Sequence, residues 1–149
     1  MKIFLTGASG YIGGSLALAL LSKGHEVRGL TRSEKSANEL KALGIVPVLG
    51  DLDNLDILKS EAFRADAVIN TANADHLEAV HAMLDGLTGN HQKFIHTSGS
   101  SIIGDDARGN QLSSSIFKDD TPLRVDVRKQ ARRNIDLKVL EAASAGIQA

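Results

Sequence analysis

The chain opens on Lys2 to Thr6, a short β-branched and aromatic run that closes on a glycine, followed by Ser15 to Ser22, rich in Leu and Ala without a breaker. That pattern predicts strand, tight turn, helix. The alternation then recurs. His25 to Thr31 reads as a strand, Ser33 to Leu43 as a helix capped by Ser33, and Val46 to Leu49 as a short strand. Asn54 to Phe63 reads as a helix, Ala67 to Thr71 as a strand, His76 to Leu87 as a helix and Lys93 to Ser98 as a fifth strand. Strands alternating with helices predict an α/β architecture, a parallel, doubly wound sheet of about five strands, and such a sheet can be complete in the order 3-2-1-4-5. Its ligand crevice would lie at the first and fourth strands.

From Gly99 to Pro122 the pattern dissolves into Gly, Ser and Asp, a loop of about 20 residues, a length that is usually functional or mobile. Pro122, preceded by Asp119, Asp120 and Thr121, supplies the start of a last helix running to about Ala145. No repeat, low-complexity tract or domain boundary interrupts residues 1–149, which read as one domain.

Composition narrows the function classes. The 149 residues are 42% apolar and 23% charged, as in ordinary globular proteins, and a formal net charge of −1 removes the bulk electrostatic case for nucleic acid or an anionic membrane. The absence of Cys excludes disulfides, thiol catalysis and thiolate metal sites. The apolar start after Lys2 is no secretory signal in this reading, because Gly7, Gly10, Gly13 and Gly14 break it. A cytoplasmic, non-membrane protein is expected.

The most informative segment is Thr6-Gly7-Ala8-Ser9-Gly10-Tyr11-Ile12-Gly13, between the first strand and the first helix. Gly7 permits the tight turn, Gly10 lets the backbone approach a pyrophosphate, and Gly13 lets helix pack closely on strand. The helix N-terminus contributes unpaired N–H groups and a positive dipole. Those are the requirements of dinucleotide binding, with Ser9, Tyr11 and Ile12 beside the phosphates.

The spacing T-G-x-x-G-x-x-G resembles the short-chain dehydrogenase/reductase superfamily, in particular its extended and atypical branches, which include nucleotide-sugar epimerases, dehydratases and NmrA-like proteins. Gly50-Asp51-Leu52, Asn70-Thr71-Ala72 and Thr97-Ser98-Gly99-Ser100, after the third, fourth and fifth strands, agree with it. The resemblance covers nearly the whole chain and implies a Rossmann-type fold. It also implies that Asp51 and Leu52 lie at the adenine, that Thr71, Ala72 and Asn73 flank the middle of the cofactor, and that Thr97 and Ser98 approach the nicotinamide.

NAD and NADP are normally distinguished at the end of the second strand, here Gly29-Leu30-Thr31-Arg32-Ser33. No carboxylate stands there. Arg32 offers a forked cation and Ser33 a hydroxyl beside a helix N-terminus, which favours NADP over NAD.

Reductases of the resembling superfamily place a Tyr and a Lys four residues apart on the helix after strand five. This chain lacks that pair: its one tyrosine is Tyr11, and Arg132-Arg133-Asn134-Ile135-Asp136 occupies the region. Arg132 and Asp136, at i,i+4, can pair with each other, or Arg132 can stabilise a developing oxyanion with Asp136 as its orienter, and Ser98 or Ser100 stands where the family has a serine. Two functions follow. One is a reductase or epimerase acting on a carbonyl or alcohol carbon of an unknown small-molecule substrate; the other is a noncatalytic NmrA-like nucleotide sensor, or an inactive fragment of a longer enzyme.

Remaining signals carry less. Arg124, Arg128, Lys129, Arg132 and Arg133 are diluted by Asp126, Asp136 and Glu141 and read as a solvated helix face, not a nucleic-acid surface. His76 and His81 share no helix face, and His91 and His96 lack ligand partners, so no metal site is expected; Asp51, Asp53 and Asp56 lack the terminal Glu of a calcium loop. Longer members of the resembling family continue into a sixth strand and a substrate lobe. Without them, Lys93 to Ser98 would form an exposed sheet edge inviting a homodimer.

Overall fold

The computed structural model describes residues 1–87, 92–104 and 109–149. Its elements are β1 (Lys2–Thr6), α1 (Tyr11–Ser22), β2 (Glu26–Thr31), α2 (Glu34–Ala42), β3 (Val46–Leu49), α3 (Leu55–Arg64), β4 (Ala67–Asn70), α4 (Leu77–Leu87), β5 (Lys93–His96) and α5 (Gln130–Glu141). All strand pairs are parallel and the sheet order is β3-β2-β1-β4-β5. This is the doubly wound α/β fold expected from the alternation.

The central strands are buried on both faces, as parallel sheets require. Ile3 and Leu5 of β1 point to one side, against Ala17, Val27, Leu40 and Ile45 beneath α1 and α2. Phe4 points to the other, joining Leu58, Val68, Val80, Met83, Phe94, Ile135 and Val139 beneath α3, α4 and α5. Helices α3 and α4 are drawn together at Gly86, where a β-carbon would collide with the Lys59 carbonyl. One charged pair crosses the second layer: Arg28 of β2 donates from Nε and Nη2 to both carboxylate oxygens of the buried Glu61, at 2.5 and 2.9 Å.

Several boundaries differ from expectation. Helix α1 starts at Tyr11, four residues before the expected Ser15, because the first-turn N–H groups need no helical partner and Gly13 is required by packing rather than placed to break the helix. Strand β4 stops at Asn70, and Thr71 turns out to donate its hydroxyl to the Thr6 carbonyl at 2.7 Å. Strand β5 stops at His96, short of the expected Ser98. The final helix does not start at Pro122. Asp126 accepts the Arg128 N–H at 2.8 Å and caps a 3-10 turn at Val127–Lys129 that leads into α5. An Asp cap with a satisfied N–H outcompetes the proline signal.

Within the expected Gly99 to Pro122 loop, Ser100–Ile103 forms a 3-10 turn; His91 and Asp105 to Arg108 lie outside the described residues. The expected bare edge at β5 is also corrected. After Gly146, at φ +82°, Ile147 enters the core and Gln148 runs parallel to Lys93. The Phe94 N–H donates to the Gln148 carbonyl and the Gln148 N–H to the Gln92 carbonyl, both at 2.9 Å. No described helix is long and apolar enough to cross a membrane.

Candidate nucleotide-binding cleft

The C-terminal ends of β1 to β4 open into a cleft of about 550 Å³. Its floor is the glycine turn. Gly7 sits at φ +74°, and a β-carbon there would lie 2.8 Å from Thr71 Oγ1, so both the backbone angle and the space exclude a side chain. The Gly10 N–H donates to the Gly7 carbonyl at 2.9 Å, closing the turn. At Gly13 a β-carbon would overlap that same carbonyl, which is why the helix can seat directly on the strand end.

Gly10 is the N-cap of α1, and no side chain caps it. The Tyr11, Ile12 and Gly13 N–H groups of the first turn therefore have no intrahelical acceptors and stand at the positive end of the helix dipole. Tyr11 and Ile12 are 94% and 51% exposed and do not line the cleft. Ser9 and Gly10 line the cleft directly.

The second wall comes from β2 and β3. Leu30, Thr31 and Arg32 line it, and the exposed Arg32 guanidinium makes no ion pair among the described residues. The Ser33 hydroxyl is engaged as the cap of α2, accepting from the Ser36 N–H at 3.2 Å. Asp51 and Leu52 line the opposite lip. One oxygen of Asp51 accepts the Asp53 N–H at 3.0 Å, and Asn54 Oδ1 accepts the Asp51 N–H at 2.9 Å, so this turn is internally braced. Thr71, Ala72 and Asn73 complete the cleft from the β4 side.

Two cleft residues escaped the sequence reading as site residues. His76 Nδ1 accepts the Ala79 N–H at 3.2 Å, which leaves its proton on Nε2, directed at Asp53 Oδ1 3.0 Å away. This bond joins the β3 and β4 loops across the cleft. The signal was present, since a His at the start of a predicted helix can act as its cap, but the partner lies 23 residues away in sequence.

The residues expected to carry chemistry are separated from one another. Arg132 does not pair with Asp136. Its Nε and Nη2 donate to the two carboxylate oxygens of Asp75 at 2.7 and 2.5 Å, and Nη1 donates to Ser101 Oγ at 2.8 Å. A bidentate fork on a carboxylate outcompetes an i,i+4 contact, and the Arg132 bonds hold the Asp75 carboxyl below its ordinary range. Gly99 makes room for this guanidinium, since a β-carbon there would strike Nη1. Asp136 instead has both oxygens buried without a hydrogen-bond partner. It lines, with Ser98 and His96, a second crevice of about 330 Å³ between β5 and α5. Thr97 and Ser98 are exposed at the end of β5, outside the larger cleft, and the Thr97 N–H donates to the Asn70 carbonyl at 3.0 Å. No cluster of metal-ligating side chains occurs among the described residues.

A parallel 3-2-1-4-5 sheet with a glycine turn at an uncapped helix N-terminus, under a cleft at the strand ends, defines a Rossmann-type fold. Within that class the chain belongs to the NmrA-like family, whose model matches residues 1–135. The oxidase ucsJ of an Acremonium species is 42% identical over 130 residues, covering 79% of this chain and 37% of its own length. A ketoreductase of Stigmatella aurantiaca, named for a farnesylated dihydroquinoline oxide, is 39% identical over 82 residues, covering 55% of this chain and 25% of its own. Among solved structures, a UDP-glucose 4-epimerase from Bifidobacterium longum, determined with NAD+ and UDP, superposes with a TM-score of 0.72 at 16% identity, covering 97% of this chain and 50% of that one. The chain spans about two-fifths of the length of the first curated relatives it matches.

Proposed function

We propose that the cleft binds a nicotinamide dinucleotide, with its pyrophosphate on the N-terminus of α1. One observation carries the reading: Gly7 and Gly13 leave no room for a β-carbon, while Gly10, the N-cap of α1 without a side-chain cap, lines the cleft. An anion is the ligand such a terminus lacks. The adenine end belongs between Arg32 and the braced Asp51-Leu52 turn, and Arg32, unpaired among the described residues, favours the 2′-phosphate of NADP. Thr71, Ala72 and Asn73 then flank the middle of the cofactor, and Thr97 and Ser98 its nicotinamide end.

When bound, a nicotinamide supplies hydride-transfer chemistry. The parent activity proposed is reduction or epimerisation at a carbonyl or alcohol carbon of a small molecule in the cytoplasm, in keeping with the names of the oxidase and ketoreductase relatives. A second reading, nucleotide binding without turnover, is favoured by a separate observation. Arg132 is held by Asp75 and Ser101, and Tyr11 is exposed on α1, so no tyrosine acid stands at β5 or α5.

Calorimetric titration with NADPH and NADH tests the site. Asp is a good N-cap, so Gly10→Asp should leave the helix folded while placing a carboxylate where the pyrophosphate belongs, abolishing binding of both. Arg32→Ala should weaken NADPH about tenfold and leave NADH unchanged. Unchanged binding by Gly10→Asp would refute the placement, and turnover of any carbonyl substrate by the purified chain would refute the noncatalytic reading.

A further inference from the structure

Beneath the cleft lies a buried polar chain with no part in the binding geometry described above. Asn70, at the end of β4, is 1% exposed, and its Oδ1 accepts from the Thr6 hydroxyl at 2.5 Å and from the Ala72 N–H at 3.3 Å. Because a backbone N–H can only donate, these contacts fix the amide orientation. Nδ2 then lies 3.1 Å from His96 Nδ1 on β5. An amide nitrogen also only donates, so His96 Nδ1 must offer a lone pair, and the ring is neutral with its proton on Nε2.

We propose that His96 is a positioning residue for the nucleotide cleft: neutral, it fixes the Asn70 amide that ties the glycine turn to the β4 loop, and its protonation releases that tie. The proposal rests on the dinucleotide reading of the cleft. Asn70 reaches both cleft walls at once, through Thr6, which leads into Gly7, and through Ala72, which lines the opposite side. A second proton on His96 sets two donors against each other in a buried site. Turning the Asn70 amide to accept it would strip the acceptor from Ala72. Either adjustment is felt where the cofactor would sit.

The surroundings agree with a neutral ring. His96 stacks on Phe94, with ring centroids 6.1 Å apart, and burial lowers its pKa, opposed by the charges of Asp136 and Asp75. Asp75 comes from the β4 loop and is itself neutralised by Arg132 of α5. Asp136 comes from α5 and shares the smaller crevice with His96 without a hydrogen bond, and Ala149 lines the same crevice.

The test is the pH dependence of nucleotide affinity, measured by titration with oxidised NADP and NAD between about pH 5 and about pH 8 for the wild type, His96→Gln and, as a control outside the cleft, His81→Gln, at an exposed position of α4. Gln can accept from the Asn70 amide through its Oε1 but does not titrate. Wild-type affinity should fall about tenfold on acidification, the slope should be lost or strongly reduced in His96→Gln, and His81→Gln should keep the wild-type slope. Comparing proteins with the same nucleotide cancels the titration of the 2′-phosphate. Equal slopes in the wild type and His96→Gln, or a slope abolished by His81→Gln, would overturn the role of His96 while leaving the nucleotide site intact. Absence of binding at every pH would overturn the nucleotide reading itself, and this inference with it. Should His96→Gln not fold, nitrogen-15 spectra of the wild-type imidazoles decide: the Nε2–H form of His96 at neutral pH supports the proposal, and the Nδ1–H form overturns it.

Discussion

The two ends of this sheet are built on different principles. At the β1 to β4 end, the ligand-facing groups are largely backbone, held by glycines that permit one geometry and by side chains that brace short turns. At the β5 and α5 end, the polar side chains are used up on one another, as in the Asp75–Arg132–Ser101 cluster, or buried without a partner, as in Asp136. The first end is organised to receive an anion. The second is organised to hold α5 against the β4 loop. The two ends therefore respond to different substitutions.

The largest effect should come from the glycine turn. Gly13→Val would drive side-chain atoms into the Gly7 carbonyl and add the overpacking cost of a branched residue, so a loss of about 3 kcal/mol or more is expected in urea denaturation, with loss of nucleotide binding. A Gly13→Val protein of wild-type stability would mean that the helix does not seat on the strand end.

Next in size is the charged pair outside both sites. Arg28→Met would leave Glu61, with 7% of its side chain exposed, without its bidentate partner, although Arg64 stands 3.7 Å away. Because Arg28 is itself partly exposed, a cost of about 2 kcal/mol is expected, below that of a fully buried pair, with nucleotide affinity unchanged.

Much of this was legible in the sequence because it is local. The strand-turn-helix order, the glycine spacing and the Ser33 cap all follow from residues within one or two turns of each other, and the parallel, doubly wound architecture follows from their alternation. What was not legible depends on distant partners. Asp75 meets Arg132 from 57 residues away, so the i,i+4 spacing of Arg132 and Asp136 pointed to the wrong partner. His96 could only be weighed as a metal ligand, since nothing in sequence ties it to Asn70, 26 residues earlier. The start of α5 was misplaced because the capping strength of Asp126 shows only once its carboxylate accepts the Arg128 N–H.

A smaller effect should separate the two ends directly. Asp75→Asn removes the charge that Arg132 grips at the surface, and about 1 kcal/mol of stability should be lost at neutral pH, while nucleotide affinity changes less than it does in Arg32→Ala. The pH dependence carries its own sign. The Asp75 carboxyl titrates below its ordinary value in the folded chain, so its contribution is present above the unfolded value of 3.8 and lost as pH falls through the lower folded one. His96 is also depressed, so the unfolded chain takes up its proton first, and stability declines as pH drops below 6.5 toward the lower folded value. Thermal melts against pH should show the milder decline in Asp75→Asn and the wild type alike, and the steeper acid loss should be reduced in Asp75→Asn.

The smallest effect should be that of Ser98→Ala. Ser98 is exposed and lies outside the larger cleft, so stability should stay within about 0.5 kcal/mol of the wild type.

The central claim, that a dinucleotide is held by the uncapped end of α1, is tested most directly by following backbone amide resonances during titration with NADP. The largest shifts should fall on Gly10, Tyr11, Ile12 and Gly13, followed by Arg32 and Ala72. Shifts confined to Ser98, Asp136 and their neighbours, with the glycine turn unmoved, would contradict it.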